Sequence, residues 1–93
     1  MNRSNIMDTL KVSSKSNPVS VAGAIAGIIR EKGVVEVQGI GRGAVNQAMK
    51  SIRVARGYLA GDGTDIVCAP SFTTVMVDGE EKTAIKLVVE IRQ

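Results

Sequence analysis

Histidine and tryptophan are absent from this sequence, cysteine occurs once, and Tyr58 and Phe72 are the only aromatic residues. Without histidine there is no imidazole base for a nucleophilic triad, so triad hydrolysis is excluded. One cysteine and no histidine leave too few soft ligands for zinc. Cys68 lies in an apolar run and has no internal disulfide partner, which fits the reducing cytoplasm. Apolar runs are also short: none approaches the roughly 20 residues needed to cross a bilayer. The first residues lack a basic start followed by an apolar core, so no secretory signal is expected. Two aromatics count against a platform that stacks single-stranded bases.

What is present is an ordinary globular composition, 44% hydrophobic and 23% charged, over 93 residues. That length supports one core. The formal net charge is +3 with a pI near 9.4, compatible with an acidic partner but weak evidence for one.

Patterning predicts the order β-α-β-α-β-β. Leu10 and Val12 alternate with polar residues as a first strand. Asn17 followed by Pro18 is a capping side chain followed by proline at the first helical position. The helix they open runs to Lys32 and stops at Gly33. Val19, Val21, Ala22, Ile25, Ala26, Ile28 and Ile29 cover about half of it; Ser20, Gly23, Gly27 and Glu31 line the rest. The two glycines suit close approach either to the domain's own sheet or to a partner. Val34 to Ile40 is a β-branched second strand. Asp65 to Ala69 begins a third, interrupted at Pro70 and resumed from Phe72 to Val77. Asp78-Gly79 signals a hairpin, and Lys82 to Arg92 forms the last strand, with Ile85, Leu87, Val89 and Ile91 facing one way. Two helices on one face of a four-stranded mixed sheet follow, an α+β two-layer sandwich. The other face, with Lys11, Glu36, Lys86, Glu90 and Arg92, is partly wet.

Between the second and third strands lies the most informative stretch, Gly39 to Leu59. Three glycines alternate and Arg42 sits between two of them. An amphipathic helix follows, with Val45, Ala48, Met49, Ile52, Ala55 and Leu59 on one arc and Asn46, Lys50 and Arg53 on its flank. Glycines at a helix start expose backbone N–H groups to anions. Gly39-x-Gly41-x-x-Ala44, with Asp62 further on, also matches the dinucleotide fingerprint weakly, and 93 residues cannot build the usual doubly wound sheet. Asp62, Asp65, Asp78, Glu80 and Glu81 fall in turns, where acidic residues are normally solvated. Lys15, Arg42, Lys50 and Arg53 near two helix starts would form a phosphate-binding strip. With no recognition helix evident, backbone and shape contacts to a duplex remain.

Three stretches carry a resemblance: Leu10-Lys-Val-Ser-Ser-Lys-Ser-Asn-Pro-Val-Ser-Val-Ala-Gly-Ala-Ile-Ala-Gly27, Gly39-Ile-Gly-Arg-Gly-Ala-Val-Asn-Gln-Ala-Met-Lys50 and Asp78-Gly-Glu-Glu-Lys-Thr-Ala-Ile-Lys-Leu-Val88. They resemble the stage V sporulation protein S family, from Met7 to Arg92. That family's chains usually begin near the position of Met7. Residues 1–6 therefore read as a flexible extension and 7–93 as a single domain. The resemblance implies a regulatory role in sporulation, on which spore-coat assembly and late developmental genes depend.

More remotely, the element order and the Gly-Arg-Gly-Ala-Val segment resemble the Alba family of small dimeric nucleic-acid-binding proteins. This implies an Alba-like fold, side-by-side homodimers and contact with DNA or RNA backbone, without cofactor, metal or membrane. Lys15 falls where Alba proteins carry loop lysines, and Arg42 with Gly43 falls in their Gly/Arg loop. Ser14 stands where a second lysine is common. The hairpin tip, Asp78-Gly-Glu-Glu81, is acidic where Alba has a basic arm. The expected interface is thus Lys15, Arg42, Gly43, Lys50 and Arg53, in a cytoplasmic, non-enzymatic protein. Two other readings use different features. A protein–protein adaptor would use the glycine-lined helix face and the acidic hairpin; a nucleotide sensor would use the Gly39–Ala44 turn.

Overall fold

A computed structural model describes residues 7–92; the expected extension at residues 1–6 lies outside them. The elements are β1 (Thr9–Val12), α1 (Pro18–Lys32), β2 (Val34–Ile40), α2 (Arg42–Ala60), β3 (Ile66–Val77) and β4 (Glu80–Ile91). They form one sheet in the order β1-β2-β4-β3, with β1 parallel to β2 and the other neighbours antiparallel. This is the expected mixed sheet, and both helices pack against it.

Alternation decides which side of each strand is buried. Val35, Val37 and Gly39 on β2 stand level with Val89, Leu87 and Ile85 on β4, and all six are buried. Ile66 and Cys68 of β3 and Leu10 and Val12 of β1 fall on the same side by register. Burying side chains as large as Ile25, Ile29, Leu59 and Leu87 stabilises the fold by about 1.5–3 kcal/mol each. On the opposite face, Lys11, Gln38 and Lys86 run across three neighbouring strands.

The helices begin and end for local reasons. Asn17 Oδ1 accepts from the N–H groups of Val19 and Ser20, at 2.8 and 3.2 Å, and Pro18 needs no partner. Gly33 closes α1 at φ 81°, a left-handed conformation, and donates to the Ile29 carbonyl at 2.9 Å. Where α1 and α2 face the interior they are rich in small residues: Ala22 and Ala26 on one, Ala44, Ala48, Ser51 and Ala55 on the other. Small side chains let two helices lie close on one narrow sheet. Buried Ser51 is satisfied within its own helix, its hydroxyl donating to the Gln47 carbonyl at 2.6 Å.

Several expectations need correction. β3 passes through Pro70 without a break, because it is the edge strand and a missing N–H there removes no necessary ladder bond. Glu80 and Glu81 belong to β4 rather than to the turn. The turn itself has positive φ at both Asp78 (51°) and Gly79 (80°), the geometry the Asp-Gly pair favours. Val19 is 58% exposed and Met49 49% exposed, so neither belongs to the core. Gly23 and Gly27 do not pack on the sheet. A Cβ at either position would meet open space.

The strands differ in length, which shapes the functional end. β2 stops at Ile40, opposite Ala84, whereas the β3–β4 ladder continues from Thr74↔Thr83 to Val77↔Glu80. The hairpin therefore overhangs its sheet as a two-stranded ribbon. Thr74 and Met76 keep the helix-side register there, and Phe72 precedes them beside the start of α2; all three are exposed.

Candidate nucleic-acid interface

β1 and β2 are parallel, so the loop after β1 and the start of α2 meet at one edge of the sheet. Glycine is required where they converge. A Cβ on Gly39 would lie 3.0 Å from the Ala44 Cβ and 3.2 Å from the Val12 carbonyl oxygen. Gly41 then turns the chain at φ 93°, donating to the Thr83 carbonyl at 2.7 Å. Its own carbonyl accepts the Val45 N–H at 3.1 Å. No side chain caps this helix start. The two helix N-termini thus differ: Asn17 caps that of α1, and that of α2 has no side-chain cap.

The loop bearing Lys15 is internally bonded. Ser13 N–H donates to Ser16 Oγ at 2.9 Å, and Lys15 N–H donates to Ser13 Oγ at 3.1 Å. It is also fastened to α2, where Gln47 Nε2 donates to the Ser16 carbonyl at 2.8 Å. Gly43 makes this docking possible, since a Cβ there would come within 2.6 Å of the Ser14 Cβ. Gly43 therefore serves first as the seat of the loop.

At about 100° per residue, Arg42, Asn46, Met49, Lys50 and Arg53 fall within an arc of about 100°, opposite the buried Ala48, Ala55 and Leu59. Asn46, Met49, Lys50 and Arg53 line one shallow groove of about 300 Å³. Arg42, further toward the helix start, lines a second cleft of about 390 Å³ with Gly41, Val45, Phe72, Glu81, Lys82 and Thr83. Lys15 lines neither and reaches this surface only through its loop. Lys50 and Arg53 are thus brought together, Arg42 is aligned with them, and Lys15 stands to one side. They do not gather at two helix N-termini, because Lys50 and Arg53 lie two and three turns into α2.

Charge pairing divides the molecule. Arg30 bonds Asp62 at 2.7 Å, Lys32 bonds Asp8 at 3.1 Å, and Asp65 lies 3.2 Å from Arg56 and 3.9 Å from Arg92. Lys82 pairs with Glu80 at 3.6 Å. Among the described residues no carboxylate comes within 4.0 Å of Lys15, Arg42, Lys50 or Arg53. Their positive potential faces solvent uncompensated at short range.

The dinucleotide pattern does not assemble. Asp62 follows the far end of the 19-residue α2, about 28 Å along the axis from the glycines, and is engaged by Arg30. Asp62 and Asp65 act as ion-pair partners, and no group of three metal-ligating side chains occurs among the described residues. Burial raises the Cys68 thiol pKa above its ordinary value. None of the described helices is long and apolar enough to cross a membrane.

Phe72 escaped the sequence reading. It is 63% exposed and shares a cleft with Arg42. It pairs with Ile85, itself paired with Gly39, so it stands beside the start of α2 at the margin of the helix layer, and no sequence pattern marked that place as uncovered.

Comparison with known proteins adds two findings. The family model described as Stage V sporulation protein S matches residues 8–92. Among solved structures, Alba from Thermoplasma volcanium aligns with a TM-score of 0.67 at 10% sequence identity, covering 89% of this chain and 99% of that one. The fold is Alba-like.

Proposed function

The chain belongs to the stage V sporulation protein S family, a sporulation-related group, and from that premise we propose a regulator that binds the phosphate backbone of nucleic acid as a homodimer. It acts in the cytoplasm by binding rather than by catalysis. The observation that supports this most directly is the line of cations along the outer face of α2, Arg42, Lys50 and Arg53, unpaired among the described residues, beside a helix start without a side-chain cap. Lys15 joins it from the adjoining loop. Such a surface holds phosphates by charge and by backbone N–H groups, and reads no base edges. The acidic tip Asp78-Gly-Glu-Glu81 keeps the ribbon's end away from phosphate, so docking centres on α2.

Binding of labelled duplex DNA, single-stranded DNA and RNA across a salt series tests this reading. Arg42→Glu with Lys50→Glu should weaken retention of every polyanion at least tenfold, two reversed charges acting on up to four phosphate contacts. Unchanged retention in a folded double variant would reduce the strip to a solubility feature. The open, glycine-lined face of α1 favours a second reading, a protein–protein adaptor. Capture of a protein partner that persists at high salt, without nucleic-acid binding, would favour that reading instead.

A further inference from the structure

Phe72 is the chain's only phenylalanine, and the fold leaves it 63% exposed on the helix-side register of β3. Its cross-strand neighbour Ile85 is 2% exposed, so the last buried position of the sheet adjoins an uncovered ring. The ring lines a cleft of about 390 Å³ with Arg42, whose guanidinium has no carboxylate within 4.0 Å among the described residues. This volume lies in the range of small-ligand sites, which run from about 300 to 1,000 Å³. Glu81 also lines the cleft. Its charge disfavours phosphate at the ribbon side and leaves the Arg42 side as the anionic end.

We propose that this cleft takes one unpaired base of a single-stranded nucleic acid, stacked on Phe72, while the flanking phosphates follow Arg42 toward Lys50 and Arg53. The inference rests on the phosphate-binding reading above and narrows its ligand. A duplex keeps the faces of its bases in its own stack; only an unpaired base can lay its face on the exposed ring. Scarcity of aromatics argued against a stacking platform, but a single exposed ring beside a free guanidinium is enough for one base. A cluster of apolar side chains from a protein would fill the cleft too, yet would leave Arg42 facing no acceptor.

The test compares a twelve-nucleotide single-stranded DNA with an abasic strand of equal length, which has the same phosphates and no bases. Wild-type protein should prefer the base-bearing strand by about tenfold, the worth of one stacked base. Phe72→Tyr, which keeps the ring, should retain the preference, and Phe72→Leu, which keeps the apolar bulk, should abolish it. A 2-aminopurine in the base-bearing strand should be quenched on binding by wild type and not by the leucine variant. Equal binding of both strands by wild type would overturn the stacking site and leave phosphate binding standing. Binding of neither strand would overturn the stacking site, and retention of duplex DNA in the salt series would then decide the phosphate reading. A loss of dimer mass in the leucine variant would assign Phe72 to an interface between copies, and so would also overturn the proposal.

Discussion

Four cations per chain, without carboxylate partners among the described residues, set a scale for how steeply binding should fall with salt. Each phosphate neutralised on duplex DNA contributes about −0.9 to the slope of log affinity against log salt. With Lys15, Arg42, Lys50 and Arg53 of one chain engaged, the slope is about −3.6, so affinity drops about 150-fold between about 50 and 200 mM salt; a dimer engaging both chains would double the slope. Replacing Arg53 by alanine should lower the slope to about −2.7 and the drop to about 40-fold. Arg53 is exposed and unpaired, so the variant should fold as wild type does. Arg30→Ala is the matched control, because that guanidinium is already held by Asp62 and the Tyr58 carbonyl. It should leave the slope unchanged. Fluorescence anisotropy of a labelled duplex over that salt range reads all three proteins. A wild-type slope shallower than about −1, or equal loss of slope in the Arg30 and Arg53 variants, would refute the assignment of these side chains to phosphate.

Asn17→Ala removes the acceptor for two N–H groups at the start of α1 and should destabilise the protein by about 1 kcal/mol, seen as a midpoint lowered by about 4–8 °C in thermal unfolding. Gly23→Ala and Gly27→Ala, with open space around each Cβ, should each stabilise by up to about 1 kcal/mol in urea titrations. Gly33→Ala should do the reverse by about 1 kcal/mol, because φ 81° is strained for alanine even though the nearest atom, Ile91 Cδ1, is 3.7 Å away. Gly43→Ala should destabilise by about 1–3 kcal/mol through its clash with Ser14, and adding Ser14→Gly should recover most of the loss in the same titration. Cys68, its thiolate disfavoured by burial, should react with iodoacetamide at pH 8 more slowly than free cysteine and speed up in denaturant.

Local rules that need only a few neighbouring residues were legible in the sequence. Asn17-Pro18 and Gly33 bounded α1, and Asp78-Gly79 placed the hairpin, because capping and left-handed turns depend on side chains within a few positions. Sheet and helix faces were legible wherever an opposing layer exists, as at Val35, Val37, Leu87 and Val89. Where one face gives out was not legible, since that depends on the reach of a partner element. Met49 adjoins the apolar arc of α2 in the sequence pattern, yet it falls on the outer face beside Asn46, Lys50 and Arg53. Phe72 alternates correctly at the margin of the helix layer, beside the start of α2, where it is left exposed. Gly43 read as a phosphate contact because glycine at a helix start serves both purposes; only the position of Ser14 distinguishes a seat for a loop from room for an anion. The four cations of the candidate site could be named from the sequence, but their freedom from carboxylates could not. Asp62 and Asp65 are drawn to Arg30, Arg56 and Arg92 by chain ends that meet only in the folded molecule.

Among the described residues, the hairpin beyond Ala84 has two strands and no third strand beside it, so cross-strand pairs hold its shape. A strip of this kind bends and twists far more easily than the sandwich it grows from. The ring of Phe72 sits at the hinge of that lever, not at its tip, so swings of Asp78-Gly79 through solvent displace it little. Evolution can therefore lengthen, shorten or recharge the tip while the aromatic stays in place over the start of α2.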